Sequence, residues 1–264
     1  MSDTPPSDGP SARDMRRMAE RAAEVAAEWG LELGRPFALS RYSYVAPAGP
    51  DAVLKVTWDE DDESDHEADA FELWGGDGAV RLLRRDVPRR ALLVERAVPG
   101  TDISELPDAE ATAIAVDLGH RLWRPAGAPF RWVGDHVPRW LDDAERDGAA
   151  LVPLARGLYA GLEPGRETLV HGDFHHHNIL RHAGRHVVID TKAMLGDPEY
   201  DIPSFLWNPL GSAMTAERTE RRIAAFAASG LDEGRIRAWA VIRAAYLGMG
   251  DDPARAQVLR DLLR

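Results

Sequence analysis

Between Leu169 and Asp201 the chain reads LVHGDFHHHNILRHAGRHVVIDTKAMLGDPEYD, crowding His, Asp and Asn between short apolar runs. Two chemistries compete for such a stretch. Asp173, His175, His176 and His177 could gather a metal ion. Alternatively, the stretch could serve phosphoryl transfer, which orients an acceptor hydroxyl, holds magnesium on the phosphates and clamps them with a cation. A kinase catalytic loop carries H-R-D, four residues, then N, and a metal-binding Asp follows after a short hairpin. Here His171, Gly172 and Asp173 precede Asn178 by that interval, and Asp190 ends an apolar run. Asp173 would accept a hydrogen bond from the acceptor hydroxyl and take its proton late in the transfer. Asn178 and Asp190 would give magnesium a neutral and a charged oxygen, the hard donors this ion prefers. A hairpin from Ile179 to Asp190 would return both to one end.

Zinc fits less well. Consecutive residues of a strand point to opposite faces, so three adjacent histidines cannot all meet one ion from a strand. The helical zinc motif, with two His four apart around a Glu, is missing, as is any Cys. A His tract is still a compositional cue to metal, so these residues alone leave both chemistries standing.

Phosphoryl transfer needs further parts. Lys55, in AVLKV, lies in the apolar strand setting that a phosphate clamp requires, and Glu67 is placed to be its ion-pair partner. A G-x-G-x-x-G loop is absent between Pro36 and Ala48, which disfavours a protein kinase and favours a small-molecule kinase. Ser40 and Ser43 take its place there as candidate phosphate contacts.

The elements that must position these residues follow from periodicity. Asp14 to Trp29 repeats apolar groups at helical spacing and stops at Gly30. FALSRYSYVAPA, DAVLKVTW, AVRLL and RALLVERA read as strands, with a helix from about Ser64 carrying Glu67, Phe71 and Trp74. VPGTD reads as a hinge. Beyond it helices dominate: Pro107 to Trp123, about Pro138 to Ala149, and three from Thr215 onward, interrupted by the short strands NILRH and HVVID. The expectation is an α+β fold of two lobes. A disordered arm (1–13) precedes a small β-rich N-terminal lobe (14–97), and a larger helical C-terminal lobe (98–264) carries the catalytic loop, with a ligand cleft at their junction.

Composition restricts the partners. A net charge of −12 over 264 residues argues against nucleic acid and would attract a cationic small molecule. No apolar run approaches the roughly 20 residues of a membrane span, and the polar first residues are no secretory signal. The absence of cysteine excludes disulfides and suits a cytoplasmic enzyme.

With these parts assembled, the chain resembles the aminoglycoside phosphotransferase family, in its streptomycin 6-kinase (aminoglycoside/hydroxyurea resistance kinase) branch. The resemblance runs from about Phe37 to Leu210 and rests on HGDFHHHNIL, IDTK, GDPEYD and NP, with VLKV, HEADAFELWGGDGAVRLL and LLVERAVPGTD upstream. Phe174 stands where that branch more usually has Leu. The resemblance implies a protein-kinase-like fold, ATP and Mg2+ as cofactors, and an aminoglycoside acceptor, streptomycin foremost. The alternatives are a metabolic kinase for an amino sugar, choline-like or hydroxamate-type acceptor, and a nucleotide-binding pseudokinase, against which the joint presence of Asp173, Asn178, Asp190 and Lys55 argues. The resemblance makes Asp173 the catalytic base, Asn178 and Asp190 the magnesium ligands, and Lys55 with Glu67 the phosphate clamp. The same carry-over gives the backbone of Glu95 and Ala97 the adenine, and makes His171 and Asp201 supports of the loop. The His pair after Phe174 becomes a branch signature, which decides against zinc. Lys192 belongs to the motif without an evident task. Asp142, Asp143, Glu145, Asp251, Asp252, Trp132, Trp140 and Trp207 are the candidates for acceptor contacts, though each reads more simply as helix surface or core.

Overall fold

The computed structural model describes residues 9–38, 40, 42–209 and 214–264. In chain order it begins with α1 (Ala12–Trp29), β1 (Ser43–Ala48), β2 (Ala52–Thr57), α2 (Glu67–Trp74), β3 (Leu82–Asp86), β4 (Ala91–Glu95) and β5 (Pro99–Asp102). There follow α3 (Asp108–Leu122), α4 (Val133–Arg146), α5 (Val152–Ala160), β6 (Thr168–Val170), β7 (Ile179–His182), β8 (Arg185–Val188) and β9 (Met194–Gly196). The chain closes with α6 (Ile202–Trp207), α7 (Ala216–Ala228), α8 (Glu233–Tyr246) and α9 (Pro253–Asp261). The fold is α+β, with a small strand-rich part and a larger helical part. Two units divide it: residues up to Thr101 with Leu180–Lys192, and Asp102–Ile179 with Ala193–Arg264.

In the first unit the main sheet has the order β1-β2-β4-β3, every pair antiparallel. Lys55 sits on β2 between Val45 of β1 and Leu92 of β4, so its strand is flanked on both sides. Pro47 is tolerated because β1 is an edge strand. Helix α1 covers the sheet with Met18, Ala22, Val25 and Ala26, which pack with Leu54, Val56 and Trp58. Its start is a capping box, in which Asp14 N–H donates to Ser11 Oγ at 3.3 Å and Ser11 N–H to Asp14 Oδ2 at 2.9 Å. Gly30, at φ 67°, ends it in the left-handed conformation that glycine adopts without penalty.

Several boundaries differ from the sequence expectation. The expected arm lies outside the described residues up to residue 8, and α1 begins at Ala12 because Ser11 supplies the cap. Leu39 and Arg41 of the first expected strand also lie outside them, and the strand begins at Ser43. The VPGTD stretch is strand β5, in a second sheet of order β5-β7-β8. Helix α2 starts at Glu67, after a 3-10 turn over Asp62–Ser64.

The second unit is built around α8, whose residues from Ala238 to Ala245 are all buried. A helix stretch buried on every side belongs in a core. Helix α4 begins five residues before the expected Pro138, which lies in its interior. Proline offers no N–H to the carbonyl four residues back. That carbonyl, on Gly134, accepts the Tyr159 hydroxyl from α5 at 3.2 Å instead. Among the described residues no helix is long and apolar enough to cross a membrane.

Trp74 closes α2 at 1 % exposure, packed on Phe71. Trp74→Ala is expected to cost about 3–5 kcal/mol, read from the urea midpoint at unchanged m-value.

Candidate active site

The first unit places one part of the predicted machinery. Lys55 Nζ lies 2.7 Å from Glu67 Oε2 and 2.6 Å from Asp190 Oδ1. Lys55 is 8 % exposed and Glu67 1 %. Burial alone would push the ammonium toward losing its proton, but Asp190 and Glu67 outweigh that and hold its pKa above the ordinary lysine value. Burial pushes the Glu67 carboxyl up, and Lys55 draws it back. Asp190 differs from its partners in being half exposed at the side chain, and in adopting φ 57°. The left-handed region costs a non-glycine residue roughly 1–2 kcal/mol, and Asp is among the few types that enter it.

The second unit carries the loop that follows β6. Asp201 is fully buried and receives three donors: His171 N–H at 2.9 Å, Gly172 N–H at 2.7 Å and Trp123 Nε1–H at 2.9 Å. Arg243 grips the other side, donating to the Gly172 carbonyl at 2.9 Å and the Tyr200 carbonyl at 2.8 Å. Gly172 itself takes φ 81°, so the sharp bend before Asp173 needs glycine. Asp173 N–H donates to His171 Nδ1 at 3.2 Å. The Asn178 amide donates to the Asp173 carbonyl at 2.9 Å and to its Oδ2 at 3.2 Å. The amide nitrogen is thereby committed to Asp173, and the amide oxygen is left as the group that Asn178 can offer a cation.

The three histidines diverge, each with its own neighbours. His175 Nε2 is 3.4 Å from Asp173 Oδ2. His176 stacks on Phe205 at 4.0 Å, and its Nε2 accepts from Arg222 at 3.2 Å. Burial, with Arg222 beside it, pushes His176 down to about 3 and keeps it neutral. His177 Nδ1 meets Asp102 Oδ2 at 2.8 Å. Among the described residues no group of three or more His, Cys, Asp or Glu is arranged to hold a metal ion.

Other expected contacts are committed elsewhere. The Ser40 hydroxyl donates to the Ser43 carbonyl at 2.6 Å, and Ser43 is buried at the start of β1. Glu95 N–H donates to the Arg81 carbonyl at 2.8 Å. The Glu95 side chain gathers Arg81 at 2.8 Å, His182 at 3.3 Å and Arg185 at 3.8 Å, and these bonds hold its pKa down against the upward push of burial. The Ala97 carbonyl faces Gly100, where a Cβ would approach to 2.8 Å. Asp142 and Glu145 pair with Arg156, Asp143 pairs with Arg146, Asp252 caps α9, and Asp251 sits in a 3-10 turn. Trp132 lies under Arg166, Trp140 stands between His136 and Tyr246, and Trp207 is buried. Arg222 and Arg243 escaped the sequence reading, because nothing local marks a helical arginine that reaches a loop more than 40 residues away.

Asp201→Ala would leave three donors without their acceptor. A loss of about 3 kcal/mol or more is expected, since each unmade buried bond costs roughly 1–3 kcal/mol. The urea midpoint at unchanged m-value would report the loss.

The comparisons with known proteins agree with this geometry. Residues 38–249 match the family described as aminoglycoside/hydroxyurea antibiotic resistance kinase. A hydroxyurea phosphotransferase of Kitasatospora aureofaciens is 31% identical over 246 residues, covering 84% of this chain and 70% of that one. A streptomycin 3''-kinase of Klebsiella pneumoniae is 31% identical over 206 residues, covering 72% of this chain and 76% of its own. In fold, a choline/ethanolamine kinase family protein from Mesorhizobium loti superposes with a TM-score of 0.64 at 18% identity, over 94% of this chain and 91% of that one. The small strand-rich part and the larger helical part are therefore those of a kinase-like fold, and the chain belongs to the aminoglycoside/hydroxyurea antibiotic resistance kinase family.

Proposed function

We propose that the protein transfers the γ-phosphate of ATP to a hydroxyl of a small molecule, with streptomycin as the leading acceptor. The observation that carries this reading is the buried Lys55 ammonium held between Glu67 and Asp190. An ammonium kept charged at such a place suits a polyphosphate, and phosphoryl transfer is mainly positioning and charge stabilisation. In this reading Lys55 clamps the phosphates, and the backbone of Glu95 and Ala97 takes the adenine edge. Asp173 accepts the hydrogen bond of the acceptor hydroxyl, aligns its oxygen with the phosphorus, and receives its proton as the new P–O bond forms and the bond from the γ-phosphorus to the β,γ-bridging oxygen breaks, releasing ADP. Asp201, Arg243 and His171 keep Asp173 in place.

The donors also suit magnesium. Asp190 offers a half-exposed carboxylate and Asn178 an amide oxygen, the hard donors this ion prefers. When bound it would neutralise charge on the phosphates. A cytoplasmic location, where ATP is supplied, goes with the reading.

Streptomycin is supported by the branch motifs, by the streptomycin 3''-kinase relative, and by the net charge of −12, which would draw in its guanidinium groups. The motifs point to the 6-hydroxyl and that relative's name to the 3''-hydroxyl. Hydroxyurea is the second reading, favoured by the relative that covers 84% of this chain. It is uncharged, which separates the two acceptors experimentally.

In an ATP-consumption screen, streptomycin should accelerate turnover and gain one phosphate by mass, with an apparent affinity that weakens as salt screens the field. Phosphorylation of hydroxyurea alone, insensitive to salt, would replace streptomycin and keep the kinase. Asp173→Asn should retain ATP binding and lose roughly 10²–10⁴-fold in turnover. A variant as fast as the parent would remove Asp173 from the role of base. Activity should depend on magnesium or manganese and survive a zinc-selective chelator; stoichiometric zinc whose removal abolishes activity would reverse that assignment.

A further inference from the structure

Lysine is almost absent from this chain. Of its 32 lysine and arginine residues only Lys55 and Lys192 are lysine. Both lie in the first unit, and they flank one set of carboxylates. Lys55 holds Glu67 and Asp190, while Lys192, two residues after Asp190, reaches the turn that leads into α2. Its Nζ is 3.4 Å from Asp61 Oδ2 and 3.7 Å from Glu63 Oε2, and it donates to Ser64 Oγ at 3.2 Å. That turn ends just before Glu67, the first residue of α2.

Asp61 creates the need for a cation. It is 1 % exposed, its Oδ2 accepts the Ser64 hydroxyl at 2.8 Å, and its Oδ1 is buried with no hydrogen-bond partner. Among the described residues Lys192 is the one cation within ion-pair distance of this carboxylate. Arg90, nearby, goes to the Asp61 carbonyl and to Asp65. A buried carboxylate stripped of its cation is strongly destabilising. The choice of lysine in an arginine-rich chain also has a reason. A compact ammonium with three rotatable donors can serve three oxygens in different directions, where a planar guanidinium prefers one flat, two-pronged partner.

We infer that Lys192 is a positioning residue for the phosphate clamp. It ties the Asp190 segment to the turn before α2, and so fixes the spacing between Asp190 and Glu67, the two carboxylates that hold Lys55. The inference rests on the reading of Lys55 as that clamp. The tie itself does not.

The test is a double-mutant cycle on the full chain with two readouts. The first is hydrogen exchange by mass spectrometry. Lys192→Met should speed exchange at least about ten-fold in peptides covering both 59–67 and 189–193, because the buried carboxylate loses its cation. Adding Asp61→Asn should do no further harm, since the charge that needed Lys192 is gone. Unchanged exchange in either segment, or losses that simply add, would overturn the tie. The second readout is kinetic, with ATP and whichever acceptor the screen returns. Lys192→Met should raise the KM for ATP and lower kcat by roughly 10–100-fold, as loss of an outer support does, with the acceptor KM unchanged. Lys192→Arg, which restores the charge, should recover part of both readouts. A fall in kcat with exchange unaltered would mean that Lys192 touches the substrate, and would overturn positioning. Should the parent protein phosphorylate no acceptor, the kinase reading falls, and the exchange cycle still decides the tie.

Discussion

A lysine ammonium taken out of water must be matched by carboxylates, and much of the first unit answers to that demand. The cost of burying one charge is several kcal/mol even after the surroundings relax, so Lys55 is tolerable only with partners in close contact. Glu67 and Asp190 meet it from segments 12 and 135 residues away. The central strand β2 keeps the lysine from moving, α2 delivers Glu67 from its first turn, and Asp190 enters the left-handed region beside it. Asp190 remains half exposed. Under the proposed function, ammonium and carboxylate are already held where transfer would use them.

The second unit solves a different problem, holding a loop rigid without regular structure. Residues 171–178 contain only a short 3-10 turn, so most of their backbone groups must find partners outside helix and strand. Asp201 takes two N–H groups, Arg243 takes a carbonyl, and Arg222 fixes His176 while receiving support from the carbonyls of Phe205, Leu206 and Asn208. Two buried guanidiniums thus do what a sheet ladder would do elsewhere. Asp173 is carried on this frame with its carboxylate partly open, and in its proposed role a side chain on a fixed frame would lose little entropy on meeting an acceptor.

Much of this was legible in the sequence. The interval from Asp173 to Asn178, the apolar run ending at Asp190 and the strand setting of Lys55 each follow from local rules, and Lys55 and Glu67 do pair. What escaped falls into two kinds. Elements of three to six residues, such as β6, β9 and α6, are too short for a period to show. Side chains that act over long loops, such as Arg243, Arg222 and Lys192, carry no local mark. The acidic run from Asp59 to Asp65 illustrates the point. As letters it is a solvated loop, yet it folds around Arg21, Arg90 and Lys192, which take Asp59, Asp65 and Asp61. Asp61 is buried, while Asp59 and Asp65 are exposed acids already engaged by arginine.

That observation bears on how a cationic acceptor would be recognised. Acids proposed to face it, Asp142, Asp143 and Glu145, are paired with Arg156 and Arg146, and Asp252 is a helix cap. A paired carboxylate contributes to the long-range field but offers little to a ligand that must displace its partner. The excess of 44 acidic over 32 basic residues therefore acts as a diffuse field, whose main effect is on the rate of encounter. Under the proposed function, discrimination between acceptors would then have to come from shape and from the few polar groups that orient one hydroxyl toward Asp173. Relatives named for acceptors as different as hydroxyurea and streptomycin are what such a division would produce: a common frame for transfer, with acceptor choice left to side chains around it.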